Sequence, residues 1–320
     1  MSLISVIIPY LNEADGIIKC CGFIDNLAKS KAYETEVIFV DDGSTDNTSE
    51  IIAEYNFLQC EIVKIITLSK NFGSHAAIRA GIKEATGDYI TYIGADLQEP
   101  PDMIEKMLAL ILDGYDAIYI ERAATKRSFF EKAFSSTFSA LMRRFAVKNY
   151  GSGGINNIMF NRKILEYLNE NQELNSSLML QIVNAGFRYS TLKMDYLART
   201  IGKSKWTFSK KMKLFIDSFV AFSFMPIRLV SIVGILMALF GFVYFLVILI
   251  GKIVNPASSV LGFPTLVSIM LLGFGITNIS LGIIAEYLWR TYDSARKRPV
   301  YIISDLKIVK SENWREDADD

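Results

Sequence analysis

Two long stretches without a charged residue constrain this chain more than any other feature. Residues 229–251 and 260–285 contain no Asp, Glu, Lys or Arg. A helix of roughly 20 apolar residues crosses about 30 Å of hydrocarbon, so each stretch is long enough to span a membrane. The alternative is a pair of buried helices in a soluble core, but buried helices of this length rarely lack charge entirely. We therefore predict a two-helix transmembrane hairpin over residues 228–290.

The charges that flank the hairpin predict its orientation. Basic residues concentrate before and after it, and Lys252 alone lies between the two stretches. The positive-inside rule then places both ends of the hairpin, and the large N-terminal part of the chain, in the cytoplasm. The predicted location is the cytoplasmic membrane, crossed more than once, with the large N-terminal domain facing the cytoplasm. The flanking basic residues are Lys203, Lys205, Lys210, Lys211, Lys213, Arg228, Arg290, Arg296, Lys297 and Arg298.

Three segments outside the hairpin have a distinct character. Residues 207–227 mix phenylalanines with lysines, as in an amphipathic helix that lies in the membrane interface. Residues 129–147 have a similar composition, and both core packing and a membrane-facing helix remain open for them. Residues 291–320 form a predicted cytoplasmic tail, in which residues 300–304 resemble a strand and the acidic residues 312–320 are expected to be disordered.

Residues 1–206 alternate short apolar runs with helical patterns, which predicts an α/β domain. Continuous apolar strands separated by helices indicate a mostly parallel, doubly wound sheet that is covered on both faces. The expected strands are residues 4–8, 36–40, 61–67, 89–93 and 117–120, and the expected helices are residues 14–28, 48–55, 74–85 and 101–113.

The ends of four expected strands are polar or acidic. In doubly wound sheets, ligands bind beyond the carboxyl ends of the strands, so these segments are expected to converge on one crevice. No glycine-rich phosphate loop follows the first strand, and the acidic ends instead suggest a diphosphate held through Mg²⁺ or Mn²⁺. Taken alone, the Asp41-Asp42-Gly43-Ser44 run is also compatible with an ordinary turn and helix cap. The four segments are residues 9–13, 41–44, 69–73 and 94–98.

The composition argues against a nucleic-acid-binding protein and against structural disulfides. The formal net charge is zero and the pI is about 6.6, which argues against a nucleic-acid partner. The three cysteines, Cys20, Cys21 and Cys60, do not have the spacing of a disulfide framework or of a metal-ligand set. We expect them to be reduced thiols in or near the core.

Three motifs follow the strands: residues 5–13 (SVIIPYLNE), 40–46 (VDDGSTD) and 95–101 (ADLQEPP). They resemble the motifs of the inverting family 2 glycosyltransferases, which have a GT-A, Rossmann-like fold. Residues 68–73 (LSKNFG), followed by a helix, narrow the resemblance further. The combination with two C-terminal spans resembles the polyprenyl-phosphate glycosyltransferases in particular, including bactoprenol glucosyltransferases, dolichyl-phosphate mannose synthases and aminoarabinose transferases. The resemblance covers nearly the whole chain, with residues 1–206 as the GT-A domain.

The resemblance implies roles for individual residues. Asp96 would coordinate the metal and the diphosphate, with Gln98 as a further ligand. Arg199, Ser204 and Lys205 match a basic loop that closes over the phosphates; a solvated loop facing anionic lipid is the alternative for Arg199 and Lys205. The residues expected to line the base and ribose are Pro9, Tyr10, Asn12, Glu13, Asp41 and Asp42.

Two positions depart from the family pattern. The family has Asp-x-Asp where this chain has Gly94-Ala95-Asp96, so the first carboxylate is missing. A family acidic residue falls at Asn156 when the sequences are aligned on Asn161. Both changes remove negative charge near the donor.

The residue types fit a displacement at an anomeric carbon. A phosphate monoester has a second pKa of about 6 and is already mostly ionised at neutral pH, so it needs no strong general base. A metal on Asp96, with cations at Arg199 and Lys205, would neutralise the departing nucleoside diphosphate. Arg122 and Arg127 are candidate contacts for the acceptor phosphate, with a plain surface role as the alternative. His75, the only histidine, has either a helix-start or a proton-transfer role.

The sequence thus predicts an inverting glycosyltransferase that moves a sugar from a nucleotide-sugar to polyprenyl (undecaprenyl) phosphate in the membrane. UDP-glucose is the default donor by resemblance, and the family implies homo-oligomers, including tetramers. Two alternatives stay open: a transferase that extends a glycan or a lipid-linked oligosaccharide, and a non-catalytic membrane scaffold that binds nucleotide.

Overall fold

A computed structural model describes residues 2–29, 33–122, 155–171, 178–197, 225–254, 262–296 and 298–311. The chain divides into two compact units. The first comprises residues 1–218 and 299–320, and the second comprises residues 219–298. The chain therefore leaves the first unit, builds the second, and returns to the first.

The first unit alternates strands with helices. All five strands and four helices predicted within residues 1–120 are present, with ends within three residues of the expected ones. The strands are β1 (Ser2–Tyr10), β2 (Tyr33–Asp41), β3 (Ile62–Leu68), β4 (Tyr89–Tyr92), β5 (Ala117–Arg122), β6 (Ile155–Asn161), β7 (Tyr189–Met194) and β8 (Ile303–Ser311). The helices are α1 (Ile17–Leu27), α2 (Thr48–Glu54), α3 (Ser74–Glu84), α4 (Met103–Leu112), α5 (Arg162–Glu170) and α6 (Leu178–Asn184).

The eight described strands form one sheet in the order β7-β5-β6-β4-β1-β2-β3-β8. Neighbouring strands from β4 through β1 and β2 to β3 run parallel, and β5 runs parallel to β7. Strand β6 is antiparallel to both of its neighbours, and β8 is antiparallel to β3. This confirms the predicted α/β domain with a mostly parallel sheet, to which β6 and β8 add an antiparallel component.

Strand β8 comes from the segment that we set apart as a C-terminal tail. It pairs along β3 with Ile66 opposite Leu306, and Ser69 N donates to the Ile302 carbonyl 2.9 Å away. Residues 303–311 are therefore part of the sheet of the first unit. The expected disordered stretch, residues 312–320, lies outside the described residues.

The core lies on both faces of the central strands, since β1 and β2 are buried along nearly their whole length. All three cysteines are buried and unbonded, as predicted for core thiols. Burial raises the pKa of Cys21 and of Cys60 to about 12. These two thiols therefore stay protonated, and unreactive, at neutral pH.

A buried ion pair closes the amino-terminal edge of the sheet, opposite the carboxyl ends of the strands. The Glu36 side chain is fully buried, and its Oε1 lies 2.7 Å from Lys64 Nζ. Thr86 donates to the same carboxylate through its backbone N (2.8 Å) and its hydroxyl (3.0 Å), and Ser5 donates through its hydroxyl. Every oxygen of this buried carboxylate is thus satisfied.

The second unit contains α7 (Met225–Val254) and α8 (Phe263–Ala295), of 30 and 33 residues. At 1.5 Å per residue they are about 45 and 50 Å long. Each contains a stretch long and apolar enough to cross a membrane, Val230–Gly251 and Leu272–Asp293, and neither stretch is buried within the chain. Core helices of a soluble protein are mostly buried, and these two stretches are not.

Helix α8 differs from the expected second span. Its membrane-length stretch begins at Leu272 rather than at residue 260, and the helix continues past Glu286 to Ala295. The helix extends this far because no glycine or proline interrupts residues 283–295. Of the expected interfacial helix over residues 207–227, residues 225–227 belong to α7, and the rest lies outside the described residues. The segment over residues 129–147 also lies outside them.

Candidate active site

The carboxyl ends of four parallel strands meet at one edge of the sheet. Asp41 at the end of β2 pairs with Tyr10 on β1 and with Thr67 on β3. Strand β4 lies on the other side of β1. The four polar segments therefore leave the sheet side by side, as the sequence predicts. They are residues 9–13, 41–44, 69–73 and 94–98.

Asp41 is buried, and both of its carboxylate oxygens accept hydrogen bonds. Oδ1 accepts from Ser44 N and Oδ2 from Ser49 Oγ, each at 2.7 Å. Ser49 Oγ also lies 2.8 Å from Tyr10 Oη, beside the half-buried Pro9. Burial raises the pKa of Tyr10, and the bond with Ser49 acts in the opposite direction. Ser49 of α2 thus contacts both Asp41 at the end of β2 and Tyr10 at the end of β1. The contact of Asp41 with the base or ribose stays a prediction.

Asn12 joins the loop after β1 to the loop after β2. Its φ of 50° lies in the left-handed region, which asparagine tolerates better than most residues. Its backbone N donates to Ser44 Oγ (2.9 Å), and its Oδ1 accepts from Thr45 N (2.8 Å). The backbone N of Glu13 donates to Thr48 Oγ1 (3.1 Å). These bonds hold Asn12 and Glu13 at the carboxyl edge of the sheet.

Asp42 holds the loop after β3. Its buried carboxylate accepts hydrogen bonds from Phe72 N at 2.7 Å and from Gly73 N at 2.9 Å. Burial raises the pKa of Asp42, and these two bonds offset only part of that effect. The backbones of the two loops are also in close contact here. A β-carbon at Gly43 would stand 2.6 Å from the Lys70 carbonyl carbon. Asp42 therefore shapes the crevice, whether or not it also contacts a ligand.

The loop after β4 presents Asp96 and Gln98 on either side of a strained residue. Leu97 has a φ of 51°, a conformation that costs an L-residue without special tolerance about 1–2 kcal/mol. A hydrogen bond from Leu97 N to the Gly94 carbonyl at 3.2 Å closes the turn. Strained backbone at a candidate site is consistent with a constraint that fixes the neighbouring side chains. Carboxylate and amide oxygens are ligands that suit Mg²⁺ or Mn²⁺.

Glu99, in the same loop, is a residue that the sequence alone does not single out. It is 7% exposed, and its Oε1 accepts from Gly94 N (3.0 Å) and from Asn157 Nδ2 (3.2 Å). Its Oε2 is buried without a hydrogen-bond partner. Burial raises the pKa of Glu99, and the negative charge of Asp96 raises it further. The only signal in the sequence was its place in the 95–101 motif.

Asn157 on β6 links this loop to the end of β7. Its Nδ2 also donates to the Tyr92 carbonyl (2.7 Å), and its Oδ1 accepts from the Tyr196 hydroxyl. Leu197 N donates to the Gln98 carbonyl (2.8 Å). The segment that leads into the predicted basic loop is therefore bonded directly to the candidate metal loop.

The remaining residues that the sequence analysis singled out are described to different extents. Arg122 ends β5 and Asn156 lies on β6, and the structure describes the backbone alone at both positions. His75 lies in the first turn of α3, where burial lowers its pKa and the charge of Arg79 lowers it further. The predicted residues outside the described ranges are Arg127, Arg199, Ser204 and Lys205.

Comparison with known sequences identifies relatives along the full chain. The family described as "Glycosyl transferase family 2" matches residues 5–193. An uncharacterized glycosyltransferase of Bacillus subtilis, YkcC, is 32% identical over 300 residues, which cover 93% of this chain and 92% of that protein. The undecaprenyl-phosphate 4-deoxy-4-formamido-L-arabinose transferase of Proteus mirabilis is 29% identical over 99% of this chain and 97% of that protein.

Solved structures with a similar fold are more distant. The mannosyltransferase PcManGT of Pyrobaculum calidifontis, in complex with GDP-Man and Mn²⁺, has 16% identity and a TM-score of 0.45, covering 91% of this chain and 87% of that one. S. aureus TarS 1–349, in complex with UDP-GlcNAc, has 20% identity and a TM-score of 0.45, covering 64% and 60%. The family match, which covers more than half of the chain, and the full-length relatives show that this chain belongs to glycosyl transferase family 2.

Proposed function

We propose that the protein transfers a sugar from a nucleotide-sugar to polyprenyl phosphate in a membrane, with inversion at the anomeric carbon. One observation carries the proposal: a single chain joins the Asp96 loop, at the ligand-binding edge of an α/β sheet, to two helices of membrane length. The match over 99% of the chain to a relative named for undecaprenyl phosphate supports it. Such an enzyme would take one substrate from water and the other from lipid.

The donor binds, in this proposal, against the segments that follow β1, β2 and β4. Asp41 and Asp42 shape the base and ribose pocket through the loops that they hold, and Asn12 and Glu13 line it. The resemblance made UDP-glucose the default sugar donor. The relatives named for their substrate act with 4-deoxy-4-formamido-L-arabinose instead, so a nucleotide-activated form of that sugar is an equal candidate.

The oxygens of Asp96 and Gln98 fit a divalent cation, Mg²⁺ or Mn²⁺. Mg²⁺ sites commonly use one or two carboxylates together with substrate phosphates, and the half-buried Asp96 supplies one such carboxylate. When bound, the cation would supply charge neutralisation of the leaving diphosphate. The strained turn at Leu97 keeps Asp96 and Gln98 oriented for this role.

Arg199, Ser204 and Lys205 close over the phosphates in this proposal, and Arg122 and Arg127 contact the acceptor phosphate. The bond between Leu197 N and the Gln98 carbonyl supports the first assignment, because it brings the chain beside the metal loop two residues before Arg199. The acceptor phosphate attacks as an anion that is already ionised, so the site needs no strong base. Loss of an acidic residue at position 156 is compatible with this chemistry.

We propose that α7 and α8 cross the cytoplasmic membrane and that the first unit faces the cytoplasm, because basic residues flank the pair of helices. We further propose a homo-oligomer, such as a tetramer, which light scattering of the purified protein in detergent would measure.

A donor panel tests the proposed reaction. Purified protein in detergent, with undecaprenyl phosphate and Mg²⁺ or Mn²⁺, is expected to consume one nucleotide-sugar and to form a lipid-linked monosaccharide that EDTA suppresses. The panel includes UDP-glucose and a nucleotide-activated 4-deoxy-4-formamido-L-arabinose. Turnover that requires a glycan or a sugar-bearing lipid as acceptor would favour the extension alternative. No turnover with any donor would contradict the enzymatic proposal.

A further inference from the structure

Gly94 lies against the carboxylates of Asp96 and Glu99. A β-carbon at position 94 would lie 2.6 Å from Asp96 Oδ1 and 3.6 Å from Glu99 Oε1. The atoms nearest to this missing side chain are therefore acidic oxygens from two different residues. Because the β-carbon is absent, the space beside Asp96 and Glu99 is not filled from position 94.

Glu99 has one carboxylate oxygen that is hydrogen-bonded and one that is not. Its Oε1 is held by Gly94 N and by Asn157, which fixes the carboxylate in place. Its Oε2 is buried and has no hydrogen-bond partner. A buried charged oxygen without a partner is unfavourable, so such an atom calls for an explanation such as an ion.

No basic side chain in the described part of the chain forms an ion pair with Glu99, whereas Asp96 is an acidic neighbour. Two carboxylates close together repel one another unless a cation lies between them. The described ranges contain no group of three or more His, Cys, Asp or Glu residues arranged for a metal. A two-carboxylate site completed by substrate phosphate oxygens fits what Mg²⁺ commonly accepts.

We propose that Glu99 is a second carboxylate ligand for the divalent cation held by Asp96, and that it acts in place of a side chain at position 94. The inference rests on the proposed function, because it assumes that a metal and a diphosphate bind at this edge of the sheet. The two hydrogen bonds of Glu99 both go to Oε1, and the proposed cation would be the partner of Oε2. The ligand is a hard divalent cation that carries a nucleoside diphosphate.

Manganese binding tests this role without turnover. The loss of the free Mn²⁺ electron paramagnetic resonance signal is measured on the full chain in detergent, with and without UDP or GDP. The variant Glu99→Gln keeps an acceptor for Gly94 N but removes the charge, and we expect it to weaken Mn²⁺ binding about tenfold or more. The matched control is Asp102→Asn, which removes a half-exposed charge three residues away, and we expect it to leave Mn²⁺ affinity unchanged.

Two measurements separate a ligand from a structural brace. In EDTA, Glu99→Gln is expected to melt at the wild-type temperature or above, because the unpartnered buried charge is gone. If Glu99→Gln destabilises the fold, Glu99→Asp keeps the charge but withdraws it, and weaker Mn²⁺ binding is again expected.

Wild-type Mn²⁺ affinity in Glu99→Gln, or an equal loss in Asp102→Asn, would overturn the inference. The proposed transfer reaction can fail independently: a Glu99-dependent Mn²⁺ site in a protein without turnover supports the site and contradicts the reaction. Conversely, turnover with a Glu99-independent Mn²⁺ site contradicts only the role of Glu99.

Discussion

Gly43 and Lys70 bring two loops of the site into backbone contact. A β-carbon at position 43 would stand 2.6 Å from the Lys70 carbonyl carbon, and Gly43 has a φ of 79°. We expect Gly43→Ala to lower the free energy of unfolding by more than the roughly 1–2 kcal/mol that left-handed backbone costs alanine, because backbone atoms must also move. Urea unfolding of the purified protein measures the loss.

The control for Gly43 is Gly186, which has a φ of 84° but open space around it, since a β-carbon there would meet no atom within 4 Å. Gly186→Ala is expected to cost only the conformational term, about 1–2 kcal/mol. Equal losses in the two variants would show that the contact with Lys70 has no energetic weight.

Asp42 is expected to stabilise the loop before α3. Asp42→Ala leaves Phe72 N and Gly73 N without their acceptor, which should cost about 1–3 kcal/mol. Asp42→Asn keeps one acceptor oxygen and should lose less. Hydrogen exchange of the Phe72 and Gly73 amides should accelerate in the alanine variant. Unchanged exchange would contradict the role that the hydrogen bonds indicate.

Asp96 is expected to be essential for transfer. If the proposed reaction is correct, Asp96→Asn should lower kcat about 100-fold or more, because the leaving diphosphate loses its electrostatic support. Initial rates with the active donor measure this effect, with Asp102→Asn as the matched surface variant. Wild-type kinetics in Asp96→Asn would remove the metal assignment from this residue.

His75 is expected to make stability depend on pH. Its pKa is lowered by burial and then by the charge of Arg79, so the unfolded chain binds a proton more readily than the folded chain. The stability of the protein relative to a His75→Asn variant should therefore be full above about pH 6.5 and fall as pH decreases toward the folded pKa. Thermal unfolding between pH 5 and 8 measures the difference, and a stability advantage that grows as the pH is lowered would contradict this assignment.

Glu36 is expected to be a stability residue without a part in catalysis. Glu36→Leu leaves Lys64 without its buried partner, and such losses typically cost about 3–5 kcal/mol. Because the pair lies at the opposite edge of the sheet from Asp96, Mn²⁺ affinity of the folded fraction should not change. A large change in Mn²⁺ affinity would show that the two edges are coupled.

The elements of residues 1–120 could be predicted because each one is encoded locally. A continuous apolar run such as residues 4–8 indicates a strand buried on both faces, and the buried side of α4 follows from helical spacing of its apolar residues. Strands β6 and β7 were not predicted, and β8 was expected only as residues 300–304. Along the sequence, the residues of the second unit lie between β3 and its partner β8.

The candidate site was predicted in its location but only partly in its residues. Polar strand ends and the parallel order of β1, β2 and β4 place Asp96 and Gln98 at the carboxyl ends of the strands. Glu99 and Asn157 were missed, since neither forms a recognisable spacing with the other along the chain. Their hydrogen bond exists only because β6 pairs with β4.

The sequence by itself determined the alternation of strands and helices, the two membrane-length helices and the family, because these depend on local composition and on motifs. The tertiary structure alone decided what each carboxylate does. Asp41 and Asp42 bind the backbone of neighbouring loops, Glu36 is neutralised by Lys64, and Glu99 keeps one buried oxygen without a partner. The reason is physical: the partners available to a charged group depend on which distant segments the fold brings within about 3 Å of it.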